Sequence, residues 1–279
     1  MSMLAPRAAV AVFLAFAFAY FFSALMRAVT ATLAPTLTQE FGLQAQDLGL
    51  LAGGYFLGFA ATQLPLGQWL DRYGPKRVVL GFLSIAVLGC AAFSAAGGFA
   101  GLMAARVLCG VGVSACLMAP MTGYRRWFEP ALQLRANSWM LMTGSFGMVA
   151  STLPVQWLLP QFGWRPLFWG LAAATVLSMA VIAWLVPAWQ SPPQARSEDP
   201  HAGAAAHPQP ADGGYRAVWR HPYFRRLTPL GFFVYGGLIA MQTLWAGPWL
   251  VKVAGDSPLA ANELGRIAAD ALLEATRTR

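Results

Sequence analysis

The sequence is poor in charged residues. Asp, Glu, Lys and Arg make up only 11% of its 279 residues, whereas 57% are hydrophobic. A soluble globular domain has a charged fraction of about a quarter, so this chain has too little polar surface to cover a soluble globule. The composition excludes the soluble classes of protein and predicts one whose solvent is lipid.

Cysteine and histidine are also scarce. The cysteines, at positions 90, 109 and 116, lie in or beside apolar stretches, have no metal-ligand spacing and suggest no disulfide scheme. We interpret them as small buried side chains. His201 and His207 lie in a polar stretch, and the apolar stretches hold no histidine and no acidic pair. The sequence therefore predicts no metal, no cofactor and no catalytic site, which disfavours a membrane-embedded enzyme.

Several apolar stretches are long enough to cross a bilayer, which needs about 20 residues of helix. The runs are continuous and do not alternate, and backbone groups in lipid must pair internally, so the chain is predicted to be an all-α integral membrane protein. The predicted spans are approximately 8–33, 48–70, 78–96, 99–122, 138–159, 167–186 and 227–251.

These spans divide the chain into four parts. Residues 1–187 form a predicted six-helix unit, and residues 188–226 form a linker that is too rich in Pro, Ala, Gly and Gln to fold and that ends in a basic segment. Residues 227–253 hold the seventh span. Residues 254–279 form a polar tail, which we interpret as either aberrant or part of a genuine short form.

Most of the basic residues behind the net charge of +8 lie in the connections between the spans and not on one polar face. This pattern indicates membrane topology and no nucleic-acid partner. Directly beside the spans, only Arg165 and Lys252 fall on the side opposite the N-terminus. The positive-inside rule then predicts a multi-pass protein of the cell inner membrane with a cytoplasmic N-terminus. The basic residues on the N-terminal side are Arg7, Arg72, Lys76, Arg77, Arg125, Arg126, Arg135, Arg216, Arg220, Arg225 and Arg226.

The connection between the second and third spans reads GQWLDRYGPKR. This spacing resembles the signature loop of the major facilitator superfamily. Its glycines allow a tight turn, its aspartate can cap the adjoining helix end, and its bases hold the loop in the cytoplasm. The resemblance implies a gating role for this loop. The matching residues are Gly67, Asp71, Arg72, Gly74, Lys76 and Arg77.

The fourth span contains Arg106, Gly110 and Gly112, a pattern that looks like the second motif of the same superfamily. Its glycines are expected to let helices approach closely. The resemblance implies a secondary active transporter of a small solute, in which two six-helix halves rock around a central site to give alternating access. The sequence would then hold a six-helix N-terminal half and one further helix. We therefore expect a truncated transporter whose resemblance ends near Asp256 and which does not transport on its own. The alternative is a non-transporting remnant or a half-transporter that acts through self-association.

Charged residues inside spans are candidate site residues, because each costs several kcal/mol in hydrocarbon. Arg27 and Arg106 qualify, and no carboxylate lies well inside any span, so an anionic small-molecule substrate is expected to supply the counter-charge.

Arg27 has Tyr20 seven residues before it and Pro35 eight residues after it, a spacing that is similar to the first helix of the organophosphate and anion antiporter branch. The resemblance implies that Arg27 binds the substrate and that Tyr20 assists. That branch has a second substrate-binding arginine in its seventh helix, where the seventh span of this sequence offers Gln242 as the candidate substrate-binding residue. The substrate could therefore be a phosphate, a carboxylate or another small anion. The alternative is that Arg27 extends to the membrane interface.

Overall fold

The structure, a computed structural model, describes residues 4–188 and 219–241. The regular structure of these residues is helical throughout. The chain divides into two units, Met1–Gln194 and Ala195–Arg279, and each is described by itself. The all-helical prediction is therefore confirmed for the described part of the chain.

Over residues 4–188 the first unit has seven helices. In the second unit, the described residues include the helix α8 (Pro222–Ala240). The seven helices are α1 (Pro6–Phe41), α2 (Ala45–Ala95), α3 (Phe99–Val113), α4 (Ala115–Trp127), α5 (Pro130–Ala150), α6 (Leu153–Phe162) and α7 (Trp164–Leu185).

Four of the described helical stretches are long and apolar enough to cross a membrane. They have 36, 51, 29 and 22 residues, and the third of them joins α3 and α4 through Ser114, whose backbone is itself helical. Their extents are Pro6–Phe41, Ala45–Ala95, Phe99–Trp127 and Trp164–Leu185. They match the predicted first, fourth and sixth spans and, in one kinked helix, the second and third.

The kink of α2 lies at Gly74, whose φ of 78° and ψ of 162° depart from helical geometry. A positive φ is accessible to glycine without the steric penalty of a Cβ atom. Pro75 follows directly and lacks the N–H group that a continuous helix would use. Gly74 therefore separates α2 into two segments, residues 45–73 and 75–95, which take the places of two predicted spans.

The predicted fifth span over residues 138–159 is not one helix. The chain breaks between α5 and α6 at Thr152, whose φ of −96° and ψ of −98° are not helical. Pro154 follows and cannot donate a backbone hydrogen bond. The hydroxyl of Thr32 donates a hydrogen bond of 2.7 Å to the Ser151 carbonyl. Apolar composition predicted a span here but gave no information on this local break.

The predicted seventh span, 227–251, is described only in part. Helix α8 begins at Pro222, earlier than the prediction, and the residues after Met241 lie outside the described part of the chain. Most of the predicted linker and the whole polar tail also lie outside it. Their predicted organisation stays a prediction.

Two groups of contacts fix the ends of α7. At its start, the Arg165 guanidinium lies 2.7 Å from a Glu40 carboxylate oxygen, and the Trp164 indole N–H donates to the other oxygen at 2.6 Å. At its end, the Lys76 ammonium donates hydrogen bonds of 2.7 Å to the carbonyls of Ala183 and Val186. A cation at a helix C-terminus satisfies carbonyls that have no partner within the helix.

Candidate functional site

Arg106 lies in the interior of the first unit, with 1% of its surface exposed. One of its terminal nitrogens donates a hydrogen bond of 2.9 Å to the backbone carbonyl of Met26 on α1. Its guanidinium also lies over the ring of Tyr55 on α2, 4.7 Å from the centroid. Arg106 thus connects three helices through a hydrogen bond and a cation–π contact.

Arg27 directly follows Met26 and is only partly buried. Its guanidinium lies 5.8 Å from the centre of the Phe59 ring, one helical turn from Tyr55. Tyr55 is fully buried and interacts electrostatically with both Arg27 and Arg106. The two arginines that the sequence singled out therefore meet at one aromatic side chain, with Arg27 the more accessible of the two.

The described residues place no carboxylate beside these arginines within the helical interior. The acidic side chains of the described part of the chain lie near helix ends or, for Asp71, three residues before the kink in α2. They are Glu40, Asp47, Asp71 and Glu129. A buried guanidinium without a carboxylate relies on carbonyl and aromatic contacts, as Arg106 does. Arg27 adds a second positive charge to this region.

Tyr20 is 5% exposed and packs against α5. A Cβ atom placed at Gly144 would lie 2.6 Å from its ring, so this glycine is needed for the contact. Tyr20 is two turns of α1 away from Arg27, about 10 Å along the helix axis. The structure therefore shows Tyr20 in the contact between α1 and α5. Gln242, the third predicted substrate ligand, lies outside the described residues.

The residues of the predicted signature loop have separate roles in the structure. Gly74 forms the kink in α2, and Lys76 holds the end of α7. The exposed Arg72 lies over the Tyr73 ring, 5.3 Å from its centre. Gly67, Asp71 and Arg77 are exposed, and no described atom lies within 4 Å of a Cβ placed at Gly67.

The glycines of the fourth-span motif lie at close helix contacts. A Cβ at Gly110 would overlap the Tyr55 carbonyl, and a Cβ at Gly112 would overlap the backbone of Ala86. Gly110 thus faces the first segment of α2 and Gly112 faces the second. The close approach that we expected at these glycines is present, and it places Arg106 beside Tyr55.

Two contributions to this region were absent from the sequence prediction. Tyr55 was not among the predicted site residues, although a hydroxyl-bearing side chain in the middle of an apolar span could have indicated it. The Met26 carbonyl could not have been found, because any residue type supplies the same backbone group. Outside this region, the contact of Lys76 with the end of α7 was also not predicted, because its partners are far from it in the sequence.

The signature loop, the glycine contacts of α3 and the helical architecture agree with a family comparison. The Major Facilitator Superfamily profile matches residues 16–269. The chain belongs to the major facilitator superfamily. It is accordingly a multi-pass membrane protein of a non-enzymatic transporter family whose members take small-molecule substrates. The superfamily match continues beyond Asp256, so the expectation that the resemblance would end there is wrong for residues up to 269.

Curated relatives in the superfamily are similar at 26–30% identity. The hexuronate transporter of Escherichia coli (strain K12) is 26% identical over 165 residues, 58% of this chain and 37% of the relative. Probable anion transporter 4, chloroplastic, of Oryza sativa subsp. japonica is 28% identical over 173 residues, which are 61% of this chain and 28% of the relative. Sodium-dependent phosphate transport protein 1, chloroplastic, of Arabidopsis thaliana is 30% identical over 162 residues, which are 56% of this chain and 30% of the relative. The matched region spans about a third of these relatives.

Proposed function

We propose that this chain supplies the anion-binding half of a secondary transporter that works by alternating access. The observation that carries the proposal is the position of Arg27, a partly buried arginine in a membrane helix, beside Tyr55 and Phe59. A positive charge at this depth costs several kcal/mol unless a counter-charge offsets it. An anionic substrate would supply that charge at the moment of binding.

The assignment of roles follows from the different burial of the two arginines. Arg106 is enclosed and has the Met26 carbonyl and the Tyr55 ring as partners, so it is suited to holding α1 in place. Arg27 can present its planar guanidinium to a carboxylate or a phosphate through two parallel hydrogen bonds. We infer that Arg27 contacts the substrate and that Arg106 fixes the helix that carries it.

The names of the relatives are consistent with an anionic substrate. Hexuronate and phosphate, which two of these names contain, both carry negative charge at neutral pH. A third relative is named as a probable anion transporter. The shared chemistry is a small anion, and this is the substrate class that we propose. The proposal also places the N-terminus in the cytoplasm of a cell inner membrane, because the basic connections lie on its side.

The experiment is an exchange assay in liposomes that contain the purified 279-residue chain. Counterflow of radiolabelled hexuronate and of radiolabelled phosphate is measured for the unchanged chain and for Arg27→Lys and Arg27→Ala. We expect saturable exchange of one anion where two copies of the chain pair to form the two bundles. We also expect a loss of at least tenfold in both variants, because neither alanine nor lysine can reproduce the planar fork of the guanidinium. Arg125→Lys, at the exposed end of α4, is the matched control.

Two results of this assay would count against the proposal. Exchange that is equal in the unchanged chain and in Arg27→Ala would remove Arg27 from the substrate site. The absence of exchange under conditions where the chain is folded would favour the second reading, a non-transporting remnant. Where exchange is observed, cross-linking in the membrane tests whether a homodimer supplies the second half, since alternating access requires two bundles.

A further inference from the structure

An open groove of about 500 Å³ lies on the first unit, between the two segments of α2 that meet at Gly74. Its walls come from both segments, with Val111 of α3 between them. On the second segment the lining residues run from Arg77 to Ile85, which is about 12 Å along a helix. The groove therefore extends from the kink into the apolar part of the helix pair.

The chemistry of the groove changes along this length. At the kink it is lined by Trp69, Tyr73 and Arg77, and Trp69 and Tyr73 remain 38% and 43% exposed. Further from the kink, its walls are formed mainly by apolar side chains, among them Phe82 and Ile85. Aromatic residues with a polar edge, together with a cation, are typical of the membrane interface, and apolar walls are typical of the hydrocarbon level.

Described side chains leave the middle of the groove unfilled. Gly81 lies in its wall, and a Cβ placed there would have no neighbour within 4 Å. Trp69 contacts Phe82 across the kink, with ring centres 5.7 Å apart, and so connects the polar end to the apolar wall. Because this surface lies on helices that cross a membrane, lipids can reach it and fill it.

The charge at the polar end favours an anion. Arg72 and Arg77 are exposed there, Lys76 lies beside them, and Asp71 is the acidic residue of the same loop. The Lys76 ammonium is engaged with the end of α7, which leaves Arg77 as the cation that lines the groove. Basic residues near a membrane surface attract anionic lipid by about 1 kcal/mol each, or about fivefold in occupancy.

We propose that this groove binds an anionic phospholipid, with an acyl chain along Phe82 and Ile85 and with the headgroup phosphate at Arg77. The site is independent of the anion transport proposed above, because Arg77 and Gly81 belong to the outer surface of α2 and not to the Arg27 region. The lipid would bridge the two segments of α2 across the kink, in direct contact with the signature loop.

The test uses Trp69 as the reporter in vesicles of phosphatidylcholine that contain a minor fraction of lipid with brominated acyl chains, which quench tryptophan on contact. Fluorescence of the full chain is compared with that of Trp69→Phe, so that the difference isolates Trp69. We expect brominated phosphatidylglycerol to quench this Trp69 signal about fivefold more effectively than brominated phosphatidylcholine at the same mole fraction.

Two pairs of variants separate the headgroup contact from the acyl-chain contact. Arg77→Gln should abolish the preference for phosphatidylglycerol, whereas Arg125→Gln, a change of an exposed arginine at the end of α4, should retain it. Gly81→Phe should reduce quenching by both brominated lipids, because the new ring fills the groove. Gly53→Phe is its control, since Gly53 is also on α2 and also has open space at its Cβ.

Three results would overturn the proposal. Equal quenching by the two brominated lipids would exclude headgroup selection, and an unchanged preference in Arg77→Gln would exclude this arginine as the phosphate ligand. Weak quenching by both lipids in the unchanged chain would show that protein covers the groove, either a second copy or another helix of the same transporter. Exchange of radiolabelled anions is not needed for any of these readouts, so failure of the proposed function would leave this test intact.

Discussion

The Arg106 guanidinium donates a hydrogen bond of 2.9 Å to the carbonyl of Met26, the residue directly before Arg27. Through this contact a buried cation of α3 fixes α1 at the position where the accessible arginine emerges. Tyr55 lies beside both guanidinium groups. Arg106 is therefore a positioning residue for Arg27, and its removal should affect stability as well as any anion binding.

Replacement of Arg106 by Ala is expected to destabilise the chain by about 2–4 kcal/mol. The loss combines a hydrogen bond to a charged group with the cavity left by a large buried side chain. Arg125→Ala removes an exposed arginine and should change stability by less than about 0.5 kcal/mol. Unfolding in mixed detergent micelles, followed by circular dichroism, measures both. Equal stability of the two variants would contradict the bridging role of Arg106.

Substitution of Gly110 by Leu should prevent normal packing of α3 against α2. A Cβ at this position already overlaps the Tyr55 carbonyl, and a backbone atom cannot move aside as a flexible side chain can. Gly53→Leu introduces the same side chain into α2 where open space surrounds the Cβ, and it should fold normally. The yield of monodisperse protein in size-exclusion chromatography compares them. A Gly110→Leu chain that behaves like Gly53→Leu would refute the close contact.

Replacement of Lys76 by Ala should loosen the end of α7. The variant loses both hydrogen bonds to the carbonyls of Ala183 and Val186 and the favourable interaction of a cation with the helix C-terminus. Amide hydrogen exchange in the last turn of α7 is expected to accelerate about tenfold, which corresponds to about 1.4 kcal/mol. Arg77→Ala, one residue further on, should leave this exchange unchanged. Acceleration of equal size in both variants would argue against a specific Lys76 contact.

Asp71→Asn is expected to slow conformational switching without weakening substrate binding. Asp71 is exposed on the signature loop near the kink, away from the Arg27 region, so a change of its charge does not alter the proposed ligand site. In proteoliposomes the maximum exchange rate should fall while the half-saturation concentration stays constant. Glu129→Gln, an exposed acidic residue before α5, is the control. A variant that keeps its fold but loses anion affinity would place Asp71 in the binding site instead.

The sequence by itself determined the membrane environment, the helical class and the family. These conclusions depend only on composition and on residues that are close together in the chain. They rest on the low fraction of charged residues, on the length of the apolar stretches and on a loop that combines glycines, an aspartate and bases. The sequence also identified Arg27 and Arg106, because a charged residue within an apolar span is conspicuous in any arrangement of helices.

The tertiary structure decided the parts that depend on contacts between distant residues. It distinguished an enclosed Arg106 from a more accessible Arg27, it showed Tyr20 packed on Gly144 two turns away, and it joined Lys76 to the end of α7. None of these could be predicted, because composition and periodicity do not state which faces of two helices meet. The physical reason is that burial and hydrogen-bond partners are properties of packed surfaces, and packing is fixed only when all the helices are in place.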